Sequence, residues 1–158
     1  MLLSPDQKGA IAESAIVHVA TKLGVDAYKP CSEGGRYDVI LDVDGRLLRV
    51  QCKWAVRHGA VVVIRCYSCR RSRTGMIKRV YTVDEIDVIA AYCADLDRCF
   101  LLPPELFDGR SHVQLRLSPA LNNQRVGIKW AEEFDFAARI RQQQGAVAQL
   151  GERLAGSQ

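Results

Sequence analysis

The chain has 158 residues, 48% of them apolar and 25% charged, which fits one globular domain with its own core and excludes global disorder. A net charge of +4 is mildly basic, compatible with a polyanionic partner without requiring one. No apolar run approaches the ~20 residues that span a bilayer, and residues 1–8 lack the basic start and apolar stretch of a signal peptide. The expected location is therefore the cytoplasm, in association with the nucleoid, with no membrane partner.

In chain order, residues 7–23 place Ala12, Ile16, Val19, Ala20 and Leu23 on one helical stripe, with Gly24 as its stop. Residues 25–29 read as a short strand, closed by Pro30 and a loop over 31–35. Strands are expected at about 36–43, 46–54 and 60–67, with Val43-Asp44-Gly45-Arg46 as a hairpin turn between the first two. The polar stretch 68–79 reads as a solvated loop or flexible insert. Thr82-Val83-Asp84-Glu85 has the spacing of a capping box and predicts a helix over 84–95, with Cys93 on its buried face. Residues 99–102 form a short apolar strand ended by Pro103-Pro104, and the alternation over 112–117 predicts a half-buried edge strand. From Ser118 onward follow a loop, an aromatic patch (Trp130, Phe134, Phe136) and a Gln-rich helix.

The predicted fold class is α/β, a single domain with a mixed central β-sheet flanked by helices. The domain is expected over 1–144, with a basic loop near 65–79. A tail over 145–158 is expected to be poorly ordered in part.

Six cysteines (31, 52, 66, 69, 93 and 99) read as reduced thiols, several of them small core residues. Cys66-x-x-Cys69 is half of a zinc spacing, but Cys93 and Cys99 do not complete it. The histidines at 18, 58 and 112 are scattered, with no Glu or Cys at ligand spacing.

The chemistry concentrates elsewhere. Residues two apart on a strand project from one face, so Gln51 and Lys53 stand side by side, and Asp38 lies on the strand across the turn. A carboxylate, an amide oxygen and an ammonium brought together suit a hard metal ion and a phosphate. Glu13 sits at the edge of the apolar face of the first helix. Taken singly, Asp38 reads as a turn residue, Gln51 and Lys53 as solvent-facing strand residues, and Glu13 with Lys8 as a solvated helix pair. Only the ordered set points to a site.

That set is Lys8-Gly9-x-x-x-Glu13 on the helix, Gly34-Gly35-Arg36-Tyr37-Asp38 entering one strand, and Val50-Gln51-Cys52-Lys53 on the next. It resembles the PD-(D/E)xK nuclease superfamily, and more narrowly its group I intron-encoded homing endonucleases, in which glutamine replaces the usual acidic residue. Two positions depart from the superfamily pattern: Tyr37 stands where proline is usual, and Gln51 is uncharged.

The resemblance implies a restriction-endonuclease-like core and a metal-dependent endonuclease that hydrolyses double-stranded DNA with Mg2+, Mn2+ serving as a substitute. The implied catalytic residues are Glu13, Asp38, Gln51 and Lys53. The implied metal ligands are Asp38, the Gln51 amide oxygen and the backbone carbonyl of Cys52, with Glu13 reaching the ion directly or through water. Lys53 would orient or activate the attacking water.

DNA contacts are expected from Arg65, Arg70, Arg71, Arg73, Lys78 and Arg79, around the fourth strand and the loop after it. Lys29, Ser32 and Arg36 flank the site. One small core carries one active site, so cutting both strands implies a homodimer or higher homo-oligomer. Residues 145–158 resemble the conceptual translation of the 5′ half of a tRNA gene, which fits a homing endonuclease that targets such a gene. The rival readings are a Holliday-junction resolvase, and a catalytically inactive nucleic-acid-binding protein in which Gln51 marks a disabled metal site.

Overall fold

The computed structural model describes residues 1–123 and 125–156; the last two residues of the predicted tail, 157 and 158, lie outside the described residues. The elements run α1 (Pro5–Lys22), β1 (Asp26–Tyr28), β2 (Val39–Val43), β3 (Arg46–His58), β4 (Val61–Arg65), β5 (Tyr67–Ser72), β6 (Gly75–Val80), β7 (Val88–Cys93), β8 (Arg98–Leu102), α2 (Pro104–Phe107), β9 (His112–Arg116), a 3-10 turn (Ala131–Phe134) and α3 (Phe136–Ala155).

Local chemistry accounts for the first elements. Ser4 caps α1 by accepting from the Gln7 amide, and the Gln7 side chain returns to the Ser4 N–H, a reciprocal capping box with Pro5 in the first turn. Gly24 follows at φ 76°, a conformation that favours glycine. Between β2 and β3, Asp44 (φ 52°) and Gly45 (φ 91°) form the two-residue hairpin turn read from the sequence. The Asp42 carboxylate accepts from the Gly45 N–H and tightens it.

β3 is the spine of the sheet. It pairs antiparallel with β2 and parallel with β7, and its far end, 56–58, pairs with β4. β8 extends the sheet beyond β7, and β9 extends it beyond β4. The result is a seven-stranded mixed sheet, with the hairpin β5–β6 standing apart from it.

Two apolar layers cover the sheet. On one face Val50, Cys52, Val88 and Ala90 meet Ile16 and Ala20 of α1 and Phe136 and Ile140 of α3. On the other, Ala55, Ile89, Ala91, Cys93 and Phe100 meet Leu106, Phe107, Ala131 and Phe134. No helix among the described residues is long and apolar enough to cross a membrane.

Three expectations are corrected. The helix predicted over 84–95 is a turn followed by strand β7. The turn at Thr82–Glu85 forms, with Thr82 O accepting from Glu85 N and Ile86 N, but the chain then extends. Val88 and Ala90 are buried on one face and Ile89, Ala91 and Cys93 on the other. A short segment apolar all round suits a strand covered on both sides, and periodicity alone cannot separate it from a buried helix.

The stretch 68–79, read as a loop, is the hairpin β5–β6. Its residues are mostly exposed on both faces, so no apolar alternation marked it. Finally, the strand expected at 60–67 is broken at buried Cys66, whose N–H donates to Ser111 O. Beyond residue 144, α3 runs on as far as Ala155.

Candidate active site

Asp38 lies just before β2 and is fixed to β3 by two bonds. Its N–H donates to Val50 O at 2.9 Å, and its carboxylate Oδ2 accepts from the Cys52 N–H at 2.8 Å. The carboxylate is therefore held against the backbone between Gln51 and Lys53, with Oδ1 left to face a ligand. Gln51 is buried, at 8% exposure. Its Nε2 donates to Cys52 O at 3.3 Å, which leaves Oε1 as the acceptor of that side chain.

Asp38 and Gln51 line one cavity of about 380 Å³, whose wall also includes Arg36, Ser68, Arg70, Arg79 and Tyr81. Asp38 also lines a neighbouring cavity of about 440 Å³ together with Glu13, Lys29 and Ser32. There Glu13 forms an ion pair with Lys29, so the carboxylate of the first helix reaches the site's rim already partnered.

Lys53 directs its ammonium to Tyr67 O at 2.9 Å and lies 4.8 Å above the Tyr81 ring.

The electrostatics match this geometry. Burial pushes the Asp38 carboxyl above its ordinary value, with the Glu13 charge adding to the rise; the Cys52 N–H bond, Lys53 and Lys29 oppose it. Burial lowers the Lys53 pKa, and Asp38 opposes that shift. Both groups are held with incomplete hydration, an arrangement common at functional sites. Burial also raises the Tyr81 hydroxyl to about 12, so it stays protonated at neutral pH.

Arg36 is committed to the fold. Its guanidinium pairs with Glu85, donates to Ser68 Oγ at 2.8 Å and to Val80 O at 2.8 Å, and stacks 4.2 Å from the Tyr81 ring. Arg79 shares the same carboxylate at 3.0 Å. Glu85 thus joins the two arginines and braces the hairpin against the body of the domain. Sequence reading missed Tyr81 and Ser68 as parts of the cavity wall, and Glu85 as the carboxylate that holds its arginines. The capping-box pattern assigned Glu85 to a helix end, and a bond between residues 49 positions apart leaves no local signal.

The remaining basic residues divide by face. Alternation along β5 and β6 puts Ser68, Arg70, Ile77 and Arg79 toward the Asp38–Gln51 cavity. Arg71 and Lys78 fall on the opposite face, Lys78 lying 5.0 Å above the Tyr67 ring. Arg73 is in the turn between the two strands. Arg65, at the end of β4, lines a separate cleft with Lys53. The site as folded therefore gathers Glu13, Lys29, Ser32, Arg36, Asp38, Gln51, Arg70 and Arg79, with Lys53 adjoining. Arg65, Arg71, Arg73 and Lys78 lie outside it.

The family model of the PD-(D/E)XK endonucleases matches residues 3–137. The fold is similar to that of a bacterial homing endonuclease, I-Ssp6803I, with a TM-score of 0.72 and 26% sequence identity over 92% of this chain and 97% of that one. No curated protein is significantly similar in sequence. The family match spans α1 through the start of α3, and so takes in the helix that carries Glu13, both strands at Asp38, Gln51 and Lys53, and the braced hairpin. With that coverage, the chain belongs to the PD-(D/E)XK endonucleases and is a nuclease.

Proposed function

We propose that this nuclease is a divalent-metal-dependent double-strand DNA endonuclease of the homing type, with a tRNA gene as its target. The observation that carries the reading is the shared cavity of Asp38 and Gln51, with the half-buried ammonium of Lys53 on the same strand as Gln51. The likeness to a homing endonuclease and the tRNA-gene resemblance of residues 145–158 support the finer assignment.

The donor set fits a hard cation: one unengaged oxygen of Asp38, the Oε1 of Gln51, the Cys52 carbonyl and, at the rim, Glu13. Asp38, Gln51 and Cys52 would hold Mg2+, or Mn2+ in its place, with Glu13 direct or water-mediated. When bound, the ion supplies charge neutralisation at the scissile phosphate and acidifies water.

The chain's own residues do the rest. The Cys52 N–H fixes the Asp38 carboxylate, so its free oxygen has one orientation. The Tyr67 carbonyl holds the Lys53 ammonium in place, and its lowered pKa makes it a better proton partner for water than a solvated lysine. Lys29 and Ser32 line the second cavity beside Asp38, where a phosphate oxygen can be received. One such site serves one strand, so a homodimer or higher assembly is needed to cut both.

The test is incubation with a duplex carrying an uninterrupted tRNA gene, a random duplex and a four-way junction, in Mg2+ or EDTA. Cleavage of the tRNA-gene duplex first, in both strands and only with Mg2+, is the expected result. Preferential cleavage of the junction would replace the homing reading, and the absence of any metal-dependent product would remove catalysis altogether.

A further inference from the structure

The cleft that Lys53 shares with Arg65 has a volume of about 600 Å³ and opens between the first turn of α1 and the outer face of the β3–β4–β9 wing. Lys8, Lys53, Trp54, His58, Arg65 and His112 line it. A second cleft, of about 260 Å³, is lined by Arg110, His112, Gln114, Arg116 and Lys129. His112 belongs to both, so the two are one continuous strip.

Neither lining contains an aspartate or glutamate, although the chain carries 18 of them. The register explains the continuity. Arg65 lies opposite His112, Val63 opposite Gln114 and Val61 opposite Arg116, so one face of the wing presents a basic row beside the exposed Val56.

The cations of this strip are also, among the described residues, free of carboxylate partners. Lys29, Arg36, Arg49, Arg79 and Arg98 pair with carboxylates. Among the described residues, Lys8, Arg65, Arg110, Arg116 and Lys129 make no ion pair. Lys8 instead lies 5.9 Å over the Trp54 ring, and Arg116 Nε donates only to Ser118 O. The strip starts at the candidate active site: Lys53 is bonded to Tyr67 O, and the Tyr67 ring meets His112 edge-on at 5.5 Å.

We infer that this strip is a backbone track, which takes a run of phosphates of duplex DNA on one side of the scissile bond. The inference rests on the nuclease reading above and assigns that substrate a second contact surface, which begins at Tyr67 and Cys69 of β5 and runs away from the Asp38–Gln51 cavity along the wing. Strand geometry sets its reach. From His112 to Arg116 is about 13 Å at ~3.3 Å per residue, roughly four base-pair rises at 3.4 Å each. With no paired carboxylate to displace, each cation of the strip exchanges only counterions and water for a phosphate. The track therefore contributes affinity without base preference.

The experiment measures binding, in EDTA, of wild type and of the R110A/R116A/K129A variant to the tRNA-gene duplex and to a random duplex over a range of salt, together with footprints. Loss of three phosphate contacts predicts a log–log salt slope shallower by about 2–3 units. The footprint should shorten on one side by about four base pairs, and the preference between the two duplexes should be unchanged. The charge-keeping variant R110K/R116K should hold the wild-type slope, which separates lost charge from a damaged fold. A wild-type slope and footprint in R110A/R116A/K129A would overturn the track while leaving the nuclease reading intact. Failure of the wild type to bind either duplex would overturn that reading, and this inference with it.

Discussion

Replacing Gln51 by glutamate and by leucine sets metal binding and stability against each other. In the metal-free protein, Gln51 Nε2 donates to Cys52 O at 3.3 Å from a side chain that is only 8% exposed. Glutamate at this position turns that bond into two facing acceptors and adds a buried charge beside Asp38. The lost bond and the badly placed acceptor together cost about 2 kcal/mol. For a domain of this size, ~2 kcal/mol lowers Tm by about 4–8 °C. Leucine has a similar volume, needs no partner, and should leave the metal-free stability within about 1 kcal/mol of wild type.

Metal reverses the order. At ~100-fold above its Kd a bound ion adds about 2.7 kcal/mol, and the extra charge of Gln51→Glu tightens that binding. The readout is Tm by calorimetry with and without Mg2+, alongside cleavage. Gln51→Glu should show the largest Mg2+-induced rise in Tm and keep some cleavage; Gln51→Leu should show no rise and no metal-dependent cutting. A Mg2+-induced rise and wild-type cleavage in Gln51→Leu would refute the amide as a ligand.

Asp38→Ala and Lys53→Ala should each lower cleavage by about 100-fold or more, the scale of removing a charge-stabilising group; wild-type rates in either, measured on folded protein, would remove them from the site. The raised Asp38 pKa means that the native state holds that proton more tightly than the unfolded chain. Its favourable contribution is complete below the ordinary carboxylate range and is lost as pH rises through the folded value. At pH 7 the metal-free Asp38→Asn variant should therefore melt above wild type while failing to cut, and a lower Tm would contradict the burial argument. Lys53 runs the other way: its lowered pKa gives a contribution complete above the ordinary lysine value and lost as pH falls through the folded one. Lys53→Met should accordingly raise Tm at pH 7. Replacing Arg70, Arg71 and Arg73 by alanine should weaken DNA binding and reduce the salt slope by about one unit per lost phosphate contact, checked by anisotropy titration; an unchanged slope and site preference would leave the hairpin a solvated surface.

The parts of this molecule legible in its sequence are those fixed by neighbours in the chain. The Asp44-Gly45 turn dictates the β2–β3 pairing, and that pairing sets Asp38 beside Gln51 and Lys53; the partner of Glu13 was not legible, since it is Lys29 and not its helix neighbour Lys8. What escaped depends on distant partners. β7 is a strand because β3 and β8 flank it and both of its faces are covered, not because its residues alternate. The hairpin β5–β6 carries cationic side chains on both faces, so its pairing is written in backbone bonds rather than in a pattern. The occupation of Arg36 by Glu85, Ser68 and Val80 could not be read from spacing, since those partners lie 49, 32 and 44 residues away.

With the hairpin reading the duplex as proposed, the Glu85 carboxylate, shared by Arg36 and Arg79, would bear on how this nuclease can be retargeted. Ser68, Arg70, Ile77 and Arg79 belong at once to the hairpin and to the wall beside Asp38 and Gln51. A change on that face made to alter which duplex is chosen also reshapes the room in which the phosphate must lie. The two traits are yoked, and selection for a new target there must carry catalysis along with it. The opposite face is tied in its own way, since Lys78 lies over the ring of Tyr67, whose carbonyl holds Lys53; variants of new preference and undiminished turnover should therefore arise first at Arg71.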